Sequence, residues 1–190
     1  MISEDSYPRT TPKLSFTRKI TIREIGIVLA VCAIPIHFWS IYNTLRELPG
    51  WLMRMDLWDA IGAIAYTQVF ALVESLILWA ALVFLGLILP KRWFADRFVA
   101  QASAMVGVFS IWILARHYLF ELYPTLDQGA RPFLIVIITL SFLILWFMIN
   151  RFTRLNIALM SIAGRLAVLG FVYLLLDVAS LLIILTRMVS

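Results

Sequence analysis

The chain reads as an all-α, polytopic transmembrane helix bundle of five spans, and three observations carry that reading. Its 190 residues are 63% hydrophobic and 14% charged, with a mean hydropathy of +0.95, whereas a soluble domain is about 45 to 50% apolar and about 25% charged. Five apolar runs, at about residues 25–45, 57–89, 98–122, 133–149 and 163–185, are near or beyond the ~20 residues that cross the hydrocarbon of a bilayer. The basic residues gather between these runs, where headgroups and the positive-inside bias account for them.

No polar stretch is long enough to form a second, soluble domain, so residues 13–190 are expected to make a single bundle. The net charge of +5 and pI near 9.7 then describe topology rather than a nucleic-acid surface, and no nucleic-acid partner is expected. One cysteine, Cys32, excludes an intrachain disulfide and a Cys-based zinc site. It follows Leu29-Ala30-Val31 inside the first apolar run. Val31 is bulky for a lipoprotein cleavage box and apolar sequence continues past the cysteine, so a buried thiol and a retained N-terminus are expected.

Residues 1–12 are polar, hold two prolines and show no periodicity, which predicts a disordered tail. From Lys13 to Arg23, basic residues alternate with Leu14, Phe16, Ile20 and Ile22, a pattern suited to an anionic membrane surface. Thr21 and Glu24 form a capping box that starts the first helix, with Ile20 and Ile25 placed as a hydrophobic staple. Span 1 contains Pro35, which predicts a kink, and His37, Ser40 and Thr44 share one polar face. Leu48-Pro49-Gly50 predicts its end, and Trp51 to Trp58 predicts a short interfacial segment.

Span 2 starts behind Asp56 as N-cap and ends at Pro90. At ~1.5 Å per residue it is about 45 Å long, so it must tilt or project from a core of about 30 Å. Its one formal charge between Asp59 and Lys91 is Glu74, placed on a face with Thr67, Ala71 and Leu78. Trp93 and Phe94 follow as belt residues. Span 3 repeats Ser103, Gly107, Ser110, Leu114, His117 and Glu121 at steps of four and three, a seam of small and polar residues expected to face the bundle. A loop from Tyr123 to Arg131 leads to Pro132 as the first residue of span 4. Span 4 has Thr139 and Ser141 as its polar interruptions and should be the helix most exposed to lipid. Span 5 carries Gly170, Tyr173, Asp177 and Ser180 on one face.

Eleven of the sixteen Lys and Arg fall on the side that holds the N-terminus and the connections after spans 2 and 4. That bias predicts a cytoplasmic N-terminus, an external C-terminus and residence in the cytoplasmic (inner) cell membrane.

An ionisable side chain at mid-membrane costs at least ~2.5 to 3.5 kcal/mol unless it finds a partner or water. His37, Glu74 and Asp177 all fall near mid-span and are the candidates for a proton or cation relay. Arg116, His117 and Glu121 form a polar cluster near the outer interface. No HExxH, GxSxG or Walker pattern is present, so no metal site, cofactor or catalytic residue is assigned. These features favour a non-catalytic accessory or scaffolding subunit of a larger membrane assembly, held among membrane lipids by a protein partner or a second copy of itself. The alternatives are a small proton- or cation-coupled transporter using Glu74 and Asp177, and a membrane-embedded enzyme acting on lipid at the outer interface.

Overall fold

Five helices make up the described part of the chain, and all five are long and apolar enough to cross a membrane. The computed structural model describes residues 21–89, 94, 97–122 and 127–189, with the backbone alone at 120–122 and 127–131. The expected tail 1–12, the basic stretch up to Ile20, the belt residue Trp93, and Lys91 and Arg92 lie outside the described residues, as does the side chain of Glu121.

Helix α1 spans Ile22–Leu52. The capping box that opens it is complete: the Glu24 amide donates to the Thr21 hydroxyl at 3.3 Å, and the Thr21 amide donates to the Glu24 carboxylate at 2.9 Å. Its expected end at Leu48-Pro49-Gly50 is not observed, because α1 runs through both Pro35 and Pro49. Pro49 lies within a turn of the helix end, so the ladder bond it removes leaves a carbonyl free among exposed residues, where the loss costs little.

Helix α2 spans Leu57–Ile88. Asp56 occupies the N-cap position with extended backbone, but its side chain makes no capping hydrogen bond. The buried face is small and polar, comprising Ala60, Gly62, Ala65, Gln68, Ala71, Ser75, Leu82 and Gly86. Such a face lets backbones approach closely where lipid supplies no hydrophobic drive between helices.

Helix α3 spans Phe98–Leu122. Its seam of small and polar residues was expected to face the bundle, but Gly107, Leu114 and His117 are exposed and Ser103 and Ser110 are half-buried. Two other faces near the start of α3 bury instead. Val99, Ala102 and Val106 pack with Phe98 against α1 and α2 residues, while Ala100 and Ala104 pack against Ile149. Hence α3 is gripped at its first three turns, and its far end stands at the surface.

Helix α4 spans Asp127–Arg151, with Pro132 inside it rather than at its first position. Only 6% of its apolar window is buried, so it is the most lipid-exposed helix, as its composition predicts. Its C-terminal end is tied to α3: Arg97 donates to the Ile149 carbonyl and the Gln101 amide donates to Asn150 at 3.1 Å. Trp112 adds a bond to Ser141 at 3.0 Å.

Helix α5 spans Thr153–Val189 and packs mainly against α1 and α2. Gly170 lies against Ala30, where a Cβ added to the glycine would stand 2.5 Å from the Ala30 Cβ. Asp177 meets His37, and both pairs differ by 140 positions, so α1 and α5 run parallel in constant register. The antiparallel α2 closes a three-helix seam, fixed by Trp79 donating to the Ile25 carbonyl at 3.1 Å.

Candidate functional site

The seam between α1, α2 and α5 holds the one buried ion pair among the described residues. His37 is 0% and Asp177 1% exposed. His37 is positioned by its own helix, since Nδ1 lies 2.9 Å from the Ala33 carbonyl one turn earlier. A carbonyl only accepts, so Nδ1 carries a proton and donates. Nε2 lies 2.9 Å from Asp177 Oδ1. One proton therefore sits between these two atoms, and the pair is either imidazolium with carboxylate or imidazole with carboxylic acid. Both forms have zero net charge, which is what an apolar interior tolerates. The Tyr173 ring stacks on the imidazole at 5.1 Å and 25°, so three of the groups placed by sequence on the inner faces of α1 and α5 do meet.

Glu74 does not join them. Near the midpoint of α2, it is exposed on the outer face of the bundle and makes no hydrogen bond or ion pair among the described residues. The small, polar face of α2 passes through Ala71 and Ser75, and Glu74 sits about 100° from Ser75 around the helix. Thr67 and Leu78, grouped with it by sequence, are half-buried on its flanks. His37, Glu74 and Asp177 thus do not form one constellation, and an interior site shared by the two acids is not present.

Arg116 and His117 are exposed near the far end of α3. The His117 ring meets Trp39 edge-on at 5.1 Å and Tyr118 at 5.9 Å. Glu121, the third member of that expected cluster, has no described side chain.

Two polar residues of the seam escaped the sequence reading. Gln68 is 6% exposed with its Oε1 unpartnered, and Ser75 is buried with its hydroxyl donating to the Ala71 carbonyl at 2.7 Å. Their signal is the recurrence of Ala65, Gln68, Ala71, Ser75, Leu82 and Gly86 near heptad spacing, opposite a stripe of large apolar residues. At the end where α2 begins and α5 finishes, Arg187 bonds to Asp59 at 2.6 Å and to the Trp58 carbonyl at 2.8 Å. Its guanidinium lies directly on Gly62, where any side chain would displace it.

No three His, Cys, Asp or Glu side chains converge among the described residues in a set able to hold a metal ion. The fold and this site define a multi-pass integral membrane bundle with a net-neutral His-Asp pair locking α1 to α5. Searches against protein-family models, curated proteins and solved structures find no match for this chain.

Proposed function

We propose that the protein is a non-catalytic subunit of a larger membrane assembly, docked through the outer face of α2. The observation that carries this reading is Glu74, a carboxyl group exposed at mid-span on a surface that is otherwise apolar. Leaving it in lipid costs at least ~2.5 kcal/mol, and intramembrane acids face a bundle interior or a partner.

The surroundings of Glu74 have the form of a helix-docking seam. Phe70, Val73, Ile77, Ala80, Phe84 and Leu87 recur at steps of three and four and are all exposed, Phe70 at 67% and Ile77 at 65%. That spacing suits a left-handed pair of transmembrane helices. In a parallel pair of identical α2 helices, Glu74 flanks the seam and faces Val69 and Leu76 of the other copy, which leaves the acid unpaired. The geometry therefore favours a different protein, whose transmembrane helix carries a basic or amide side chain at the depth of Glu74.

A photo-crosslinking residue placed at Phe70 or Ile77 in the native membrane should capture a second transmembrane protein, and the same residue at Ile144 on α4 should not. Adding Glu74→Leu should reduce that capture by about tenfold, corresponding to ~1.4 kcal/mol of lost pairing. Lipid adducts alone at both α2 positions would refute the docking role.

A further inference from the structure

We infer that α1, α2 and α5 enclose a one-sided file of water that enters beside Arg187 and ends on the free oxygen of Asp177. Three deeply buried side-chain atoms in this seam have no hydrogen-bond partner: Asp177 Oδ2, Gln68 Oε1 and Thr44 Oγ1. Their residues are 1%, 6% and 6% exposed. An unsatisfied buried polar atom costs about 1 to 3 kcal/mol, and a water with two to four polar neighbours removes that cost.

The register arranges the three atoms in sequence rather than at random. Ser40 reaches the Thr67 carbonyl at 3.5 Å, which sets Gln68 beside the turn of α1 that follows His37. The constant offset of α5 puts the buried Ser180 at the same level. Thr44 stands seven residues, about 10 Å, beyond His37. Next comes Gly62, covered by Arg187, with Asp59 and the Trp58 carbonyl holding the guanidinium. Polar groups thus continue from the His-Asp pair to this end of the bundle.

In the opposite direction, as far as the contact between Gly170 and Ala30, the seam holds no unpartnered buried polar atom among the described residues. Below His37, α1 buries Ala33, Cys32, Val31 and Val28, and the backbone contact between Gly170 and Ala30 leaves no room for solvent. On that side Ser75 spends its hydroxyl on its own helix, Trp79 donates to the Ile25 carbonyl, and the Tyr173 ring covers the imidazole. Asp177 Oδ2 is the unfilled acceptor of the pair, so the file keeps the pair in contact with water at the Arg187 end alone. Glu74, which faces away from the seam, takes no part. This assignment is independent of the docking surface on α2.

Water-edited solid-state NMR of the full chain in lipid bilayers tests it. Magnetisation from water should reach the side chains of Asp177, Gln68 and Thr44 at rates within about threefold of the half-exposed Asp59, while Cys32 and Val31 stay at least tenfold slower. Thr44→Val, which keeps shape and removes the hydroxyl, should slow transfer to Asp177 by several-fold. Ser75→Ala, on the dry side, removes a hydroxyl that bonds only within its own helix and should leave the transfer unchanged, and unaltered shifts in α3 and α4 would verify the fold of each variant. Transfer to Asp177 as slow as to Cys32 in the unmodified chain, or insensitive to Thr44→Val, would overturn the proposal.

Discussion

His37→Leu should destabilise the bundle by about 3 to 5 kcal/mol, because it strands a buried carboxyl group without its partner. The double variant His37→Leu with Asp177→Leu should lose far less. Interhelical hydrogen bonds in membranes contribute on average ~0.6 kcal/mol and at most ~1.7, so the bond itself is a minor stabiliser and the orphaned acid is the major cost. Asp177→Leu alone should fall between the two, since it strands a neutral imidazole whose Nδ1 proton still reaches the Ala33 carbonyl at 2.9 Å. Reversible unfolding in mixed micelles measures all three variants, and losses that simply add in the double variant would refute the coupling.

Gly170→Ala should cost about 1 to 3 kcal/mol and Gly170→Val more, because overpacking drives α5 away from α1. The added Cβ would meet the Ala30 Cβ at 2.5 Å, its Cα at 2.7 Å and its carbonyl oxygen at 2.9 Å. None of these atoms belongs to a flexible side chain that can swing clear. Gly164→Ala is the internal control: nothing lies within 4 Å of that position, and alanine is the better helix former by up to ~1 kcal/mol. It should be neutral or stabilising in the same assay. Equal losses at the two glycines would show that close approach of α1 and α5 is not what Gly170 provides.

The number and type of elements were legible because each helix is an apolar run long enough to be read without its neighbours. Inner faces were legible where polar residues recur at helical spacing, as with His37, Ser40 and Thr44 on α1 and with Gly170, Asp177 and Ser180 on α5. Glu74 was misplaced for a physical reason: a lone charge announces itself more strongly than a pattern of Ala, Gln and Ser, yet the small residues decide which face of α2 turns inward. Similarly, the small-residue seam of α3 suggested a contact, but residues near its start make that contact on two other faces. Pro49 was read as a helix end, although within the last turn a proline removes a bond whose loss costs little. Pairings between helices, His37 with Asp177 above all, depend on which spans become neighbours, and spacing within one span does not encode that.

The parallel register of α1 and α5 also bears on biosynthesis. His37 emerges from the ribosome 140 residues before Asp177, so the first helix must wait in the bilayer, its imidazole unmatched, until the fifth has been translated and inserted. Nascent chains halted ahead of α5 would carry this unfulfilled polar face, together with Gln68, as a recognisable mark of incompleteness for membrane quality control.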